Sequence, residues 1–253
     1  MKGICLKVAA MVALLTAATA FAQPKPKSQK EVDAIVAMQN AADADARIKA
    51  ANELLTKFAD TEFKTFALQA IVQSYQQKGD SENVIIYSER LLAADPKSYI
   101  AQLSLAQTIA QKTREFDLDK EEKLGRAEKM AKGAQENIKV AEKFNPAITD
   151  AQWDGFKKDQ MSESYQALGM IALARKKYED AAAQFKLSVD SAASPDPATM
   201  VRLGSAYLAA GKPTEALAVL DKVLAMTDLH PAIKQYATSE KQKATAAAAV
   251  VKK

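Results

Sequence analysis

Cysteine and histidine are almost missing from this chain; each occurs once, as Cys5 and His230. Zinc sites draw on three or four Cys, His or acidic ligands, and nucleophilic catalysis needs a base within reach of the nucleophile. A single histidine in the turn Asp228-Leu229-His230-Pro231 supplies neither constellation. No phosphate-binding glycine loop and no dinucleotide-binding glycine pattern is present. Asp43 and Asp45 lack the central glycine and further acids of a calcium loop. The sequence therefore predicts no metal, no cofactor and no catalysis. Glycine and proline number only eight each, too few for the many tight turns of an all-β chain, and aromatics make up 6%.

What the chain does have is small apolar residues. It is 48% hydrophobic, much of that alanine, the best helix former. The expected class is all-α. Lys and Arg number 35 against 31 Asp and Glu, a net charge of +4, with both signs interspersed. That pattern is a solvated surface and lacks the clustered basic face of a nucleic-acid binder.

Residues 1–22 read as a secretory signal peptide. Lys2 and Lys7 form a positive start, Val8 to Ala18 an apolar stretch too short to span a membrane comfortably, and Ala20-Phe21-Ala22 a small-x-small cleavage pattern. Cys5 lies before the apolar stretch, where it cannot serve as a lipoprotein cysteine, and is lost on cleavage. The expectation is a bacterial exported protein, periplasmic or secreted, with no integral span once cleaved. Residues 23–30, with Pro24 and Pro26, are expected to form a disordered linker.

From there a pattern recurs at a period of about 34 residues. Leu68, Ile71, Val72, Tyr75, Gly79, Val84, Leu91 and Pro96 form one set, and Met200, Leu203, Gly204, Tyr207, Gly211, Ala216, Leu220, Val223 and Pro231 form another that aligns with it. Tyr165, Leu168, Gly169, Ala172, Ala181 and Phe185 give another copy. In physical terms, a small residue in one helix lets the next approach, and large residues on either side fill the gaps between copies. No single copy can bury its own apolar face, so copies must stack. Copies fall at about 31–64, 65–98, 99–150, 162–196 and 197–231. In the first, Ala50 and Leu54 fit a second helix and the first helix is poor.

The third copy departs from the pattern. Its second helix runs late and long, from about Asp119 to Phe144, with Asp119 and Glu122 as a capping box and Asn145-Pro146 as the stop. Its basic run Lys120, Lys123, Arg126, Lys129 and Lys132 is interleaved with acids, as in a solvated face, although acidic partners or lipid would also suit it. Thr149 and Gln152 cap a further helix carrying Trp153, the only tryptophan, read as packing over a repeat junction. The tail 232–253 reads as a capping helix that turns Ile233, Tyr236 and Ala237 toward the array.

Arg202-Leu203-Gly204-Ser205-Ala206-Tyr207 and Asp180-Ala181-Ala182-Ala183-Gln184-Phe185 resemble the two helices of the tetratricopeptide repeat (TPR). The resemblance implies an α-solenoid of helix-turn-helix repeats over 31–231. It also implies other proteins or peptides as partners, held on a concave face lined by the first helices. By repeat position that face would carry Phe66, Gln69, Gln73, Gln76, Gln107, Gln111, Gln166, Met170, Leu173 and Leu208. Glutamine can donate to and accept from an extended backbone, or it can simply solvate the inner face. Two roles are open. One is a non-enzymatic scaffold or adaptor of the cell envelope. The other is a structural subunit of an envelope complex, held by the convex face or capping helix.

The leader makes a direct prediction. N-terminal sequencing of the protein from its native host should begin at or near Gln23, and an intact Met1 in the cytosolic fraction would overturn export.

Overall fold

The computed structural model describes residues 24–143, 145 and 147–251. The leader with Cys5, the cleavage point before Gln23, and Phe144 and Pro146 lie outside the described residues. Among the described residues every regular element is a helix. In chain order these are α1 (Gln29–Gln39), α2 (Ala44–Lys57), α3 (Lys64–Lys78), α4 (Ser81–Ala94), α5 (Tyr99–Lys112), α6 (Lys120–Val140), α7 (Asp150–Ala174), α8 (Tyr178–Ser191), α9 (Pro197–Ala209), α10 (Pro213–Leu224) and α11 (Pro231–Val251). Each packs against the next, and α3 with α5 and α5 with α7 also touch. The fold is an all-α solenoid of stacked helical hairpins.

Local chemistry sets the ends of these helices. Asp43, Asp80, Ser98 and Asp196 accept from free amides of the first turns that follow them. Thr149 and Gln152 form the expected reciprocal capping box. The turns inside three hairpins are closed in the same way. Gly79, Lys176 and Gly211 occupy one register from the repeat starts Thr65, Ser162 and Pro197, with φ of 69°, 58° and 73°. The amide that follows each reaches back to an orphan carbonyl, Asp80 to Tyr75, Lys177 to Ala172 and Lys212 to Tyr207, at 3.0, 2.9 and 2.9 Å. This is the left-handed helix stop that glycine normally supplies. In the α7–α8 hairpin lysine supplies it.

Packing follows the small-against-large rule. A Cβ added at Gly169 would lie 2.7 Å from the Phe185 ring, and one at Gly204 would lie 2.8 Å from Leu220 Cγ. Neither is possible without displacement, so these glycines set the distance within each hairpin. In the middle of the array alanine does the same, with Ala106, Ala131 and Ala167 forming one fully buried cluster. At the C-terminal end Ala237 and Ala244 of α11 cover Leu220 and Val223, which closes the last apolar face.

Four details differ from the sequence reading. Asp119 makes no side-chain cap; its carboxylate pairs with Lys123 at 2.9 Å, and Asp117 shares that lysine. The long helix α6 ends at Val140, earlier than Phe144. Tyr236 points outward and is 52% exposed, because the faces of Ala237, Glu240 and Ala244 are the ones that meet the array. In α2 the buried pair is Ala51 and Leu54, with Ala50 on the flank, so the first copy sits three residues earlier than its alignment.

Three residues therefore have to be absorbed between α2 and α3, and the 58–63 loop does so. The carboxylate of Glu31, 1% exposed, accepts from the Lys27 amide at 2.5 Å and from the Thr61 hydroxyl at 2.6 Å. Lys27 Nζ also reaches the Asp60 carboxylate at 2.6 Å, and the Lys25 amide the Glu62 carboxylate at 2.8 Å. The segment before α1 thus lies against this loop.

Two substitutions test this packing. Gly204→Leu should destabilise by about 1–3 kcal/mol through overpacking. Lys176→Gly should stabilise by about 1 kcal/mol or less, since relief of the left-handed backbone outweighs the entropy of glycine and the loss of an exposed ion pair to Glu115. Thermal unfolding reads both. A raised melting temperature for Gly204→Leu would overturn the hairpin register.

Candidate functional site

The first helices of the hairpins, α1, α3, α5, α7 and α9, line one face of the array. Side chains at equivalent turns along them meet their neighbours. Gln76 Nε2 of α3 donates to Ser104 Oγ of α5 at 3.1 Å, and Gln107 of α5 faces Glu163 of α7. Of the ten residues singled out by register, Phe66, Gln69 and Gln73 are brought together. With Met38, Gln39 and Ala70 they line a hollow of about 140 Å³ between α1 and α3, and Arg47 of α2 stands at its side. The Phe66 ring is 40% exposed, whereas Met38 beneath is 1% exposed.

The other seven are placed differently. Gln76 and Gln107 face neighbouring helices, as above, and Gln111 is exposed near the end of α5. Gln166 is half-buried. Met170, Leu173 and Leu208 are half-buried and give much of their apolar surface to the core clusters of the last hairpins. The hollow that gathers three of the ten residues is at the N-terminal end of this face.

Met38, Gln39 and Arg47 were missed by the sequence reading because they belong to the degenerate first copy. A signal for them exists. Ser28 followed by Glu31 has the spacing of a capping box, and Ser28 does accept from the Glu31 amide. That start places Met38 and Gln39 on the inner face.

Part of the charge on the array is paired. In the basic run of α6, Lys123 pairs with Asp117 and Asp119, Arg126 with Glu89 and Lys132 with Glu128. Arg175, 19% exposed at its side chain, bridges Glu121 and Glu128 and ties the end of α7 to α6. His230 accepts from the Ala232 amide at the start of α11. Among the described residues no three His, Cys, Asp or Glu side chains gather as a metal site, and no helix is long and apolar enough to cross a membrane.

Glu163 is the exception on the inner face. Burial pushes its carboxyl above the ordinary range; Gln107 pulls it back by hydrogen bonding, and Asp159 one turn away pushes it up again. No cation lies within ion-pair distance of it among the described residues. A raised folded-state value means the folded chain holds this proton more tightly than the unfolded chain does. Stability is therefore lost as pH rises from the ordinary value of 4.5 through the raised one. Glu163→Gln should accordingly raise the melting temperature at pH 7, with the gain disappearing below the ordinary carboxylate range. An equal gain at both pH values would show that the carboxyl titrates normally.

A family model of the tetratricopeptide repeat matches residues 199–232, which span α9 and α10. No curated protein sequence matches the chain. Among solved structures it is similar to a thermophilic TPR protein of Thermus thermophilus, at 17% identity and a TM-score of 0.56, covering 84% of this chain and 97% of that one. Two others align over similar lengths. An assembly chaperone of RpL4 aligns at 13% identity over 89% of this chain and 99% of that one, with a TM-score of 0.46. A TPR protein from Parabacteroides merdae aligns at 12% identity over 87% and 91%, with a TM-score of 0.43. The left-handed hairpin stops, the small-against-large hairpin contacts, the matched repeat and the Thermus likeness agree: α9 and α10 match a tetratricopeptide repeat, and the array around them has the fold of a tetratricopeptide-repeat solenoid.

Proposed function

We propose that this protein is a non-catalytic scaffold or adaptor of the bacterial cell envelope, exported by the leader 1–22, which holds a partner polypeptide on the face lined by its first helices. The observation that carries this reading is the hollow between α1 and α3. It pairs an apolar lining, Met38, Ala70 and the outward Phe66 ring, with the side-chain amides of Gln39, Gln69 and Gln73. Such a site takes one apolar side chain and satisfies the peptide backbone on either side of it. The partner segment lies extended along α3 and α5, past the exposed Gln111.

A second reading has its own support. The outer surface of α11, with a shallow depression at Lys234, Gln235 and Thr238 and, on another side of the helix, the exposed Tyr236, offers surface away from the inner face. In that case the chain is a structural subunit held by its capping helix.

Capture of partners from envelope extract, with wild type and inner-face variants compared, separates the two. Gln73→Ala should weaken an isolated partner peptide by about 0.5–1.5 kcal/mol, the worth of one neutral hydrogen bond. Phe66→Asp should weaken it more, because a charge enters where the ligand's apolar side chain is buried. Equal retention by all three proteins, with loss on Tyr236→Glu, would move the site to α11.

A further inference from the structure

The loop between α5 and α6 carries the two most exposed large apolar side chains of the described residues, Phe116 at 90% and Leu118 at 106%. This loop is not slack. The Thr113 hydroxyl donates to the Ile109 carbonyl at 2.7 Å, the Arg114 amide to the Asp117 carboxylate at 3.2 Å, and the Lys120 amide to the Asp117 carbonyl at 3.1 Å. Lys123 clasps Asp117, and Glu115 pairs with Lys176 across the array. A braced turn thus holds two large apolar groups out into water, alternating with carboxylates in Glu115-Phe116-Asp117-Leu118-Asp119. Prominent apolar groups of this kind mark contact surfaces.

The complementary chemistry is in the first hairpin. The hollow of about 140 Å³ has an apolar lining at Met38 and Phe66, and a cavity of about 150 Å³ is large enough for one benzene ring. Beside it stands Arg47. Its guanidinium pairs with no carboxylate among the described residues and only touches Gln77 Oε1 at 3.5 Å. The hollow is therefore suited to an aromatic or branched aliphatic side chain next to an acid, and the α5–α6 loop presents that combination.

We propose that the occupant is a second copy of this chain, with Phe116 or Leu118 of one copy entering the hollow of the next and a neighbouring carboxylate meeting Arg47. Loop and hollow lie on different hairpins, so the contact is head-to-tail: each copy offers one of each, and chains or rings grow by repetition. One loop covers too little area for a permanent dimer, so association is reversible and depends on concentration. It also weakens with added salt, because part of it is an exposed ion pair. The inference uses the same hollow as the proposed function but does not depend on a foreign partner.

Sedimentation velocity of the full chain across a wide concentration range tests it. Wild type should gain mass with concentration. The double variant Phe116→Ser, Leu118→Ser should stay monomeric, and so should Arg47→Glu. Each should melt as wild type does, since the altered side chains are fully exposed or outside any ion pair. The decisive arm mixes the two variants: one keeps its hollow and the other its loop, so together they should form a one-to-one dimer and nothing larger. A wild type that is monomeric throughout, variants that associate as wild type does, or a mixture that stays monomeric would each overturn the proposal. If the mixture fails while Phe66→Asp still loses a foreign peptide, self-association falls and the proposed function stands.

Discussion

Everything in this array depends on how closely two helices of a hairpin can approach. Where Gly169 meets Phe185 and Gly204 meets Leu220, no atom could be added to either glycine. The large side chain then lies flat against backbone and reaches the following hairpin. The clusters show the consequence. Ala172 of α7, Ala181 and Phe185 of α8, and Leu203 and Ala206 of α9 form one core. The next core joins α9, α10 and α11. The apolar interior is thus a chain of local cores, each shared between neighbours, as expected of a quasi-one-dimensional fold. Such a structure needs its ends closed, and α11 closes one with two alanines and the buried flank of Glu240.

The middle of the array shows how far the pattern stretches. α6 is longer than its counterparts, and α7 runs unbroken from Asp150 to Ala174, twelve residues ahead of the repeat start at Ser162. Small residues let these long helices nest: Ala106, Ala131 and Ala167 meet, and Ser164 donates to the Ala131 carbonyl at 3.0 Å. Arg175 then clamps α7 to two acids of α6. Exposed ion pairs contribute little each, but this guanidinium is mostly shielded and grips two carboxylates, so it fixes the angle between the helices more than it adds stability. The α5–α6 loop is held out by the same arrangement, through Lys176 beside Arg175.

The fold was legible because its rule is written in residue size. Tyrosine and glycine at one spacing in two copies, Tyr75 with Gly79 and Tyr207 with Gly211, and glycine at one helix position in two, Gly169 and Gly204, with alanine there in another, point to a hairpin repeat before any coordinate is known. The α7–α8 stop was less visible, since Lys176 fills a position where glycine is the usual signal, and only the backbone angle identifies it. The hollow was half legible. Phe66, Gln69 and Gln73 follow from register, but their partners Met38, Gln39 and Arg47 sit in a copy shifted by an irregular loop. Buried area explains the rest: Met170, Leu173 and Leu208 carry the right periodicity for an open face, yet neighbouring hairpins lean over them and claim their surface. Periodicity fixes direction from a helix axis; it does not say how much of that direction the next hairpin covers.

That irregular loop connects fold to function. Among the described residues α1 is the shortest helix, and its apolar contribution is small, Ile35 and Met38 against Ala51, Leu54, Ala67 and Ile71. Its position is set at least as much by Glu31, whose buried carboxylate is met by the Lys27 amide and the Thr61 hydroxyl. A buried carboxylate that loses a partner is costly, so α1 cannot slide along α2 without breaking this pair of bonds. The hollow lies between α1 and α3, and Met38, one of its walls, is on the helix so held. Its width therefore answers to a polar lock two turns away as well as to packing beneath it. The hollow lies where α1 adds only Ile35 and Met38 to the buried core, so the contacts of the 58–63 loop share in setting its shape.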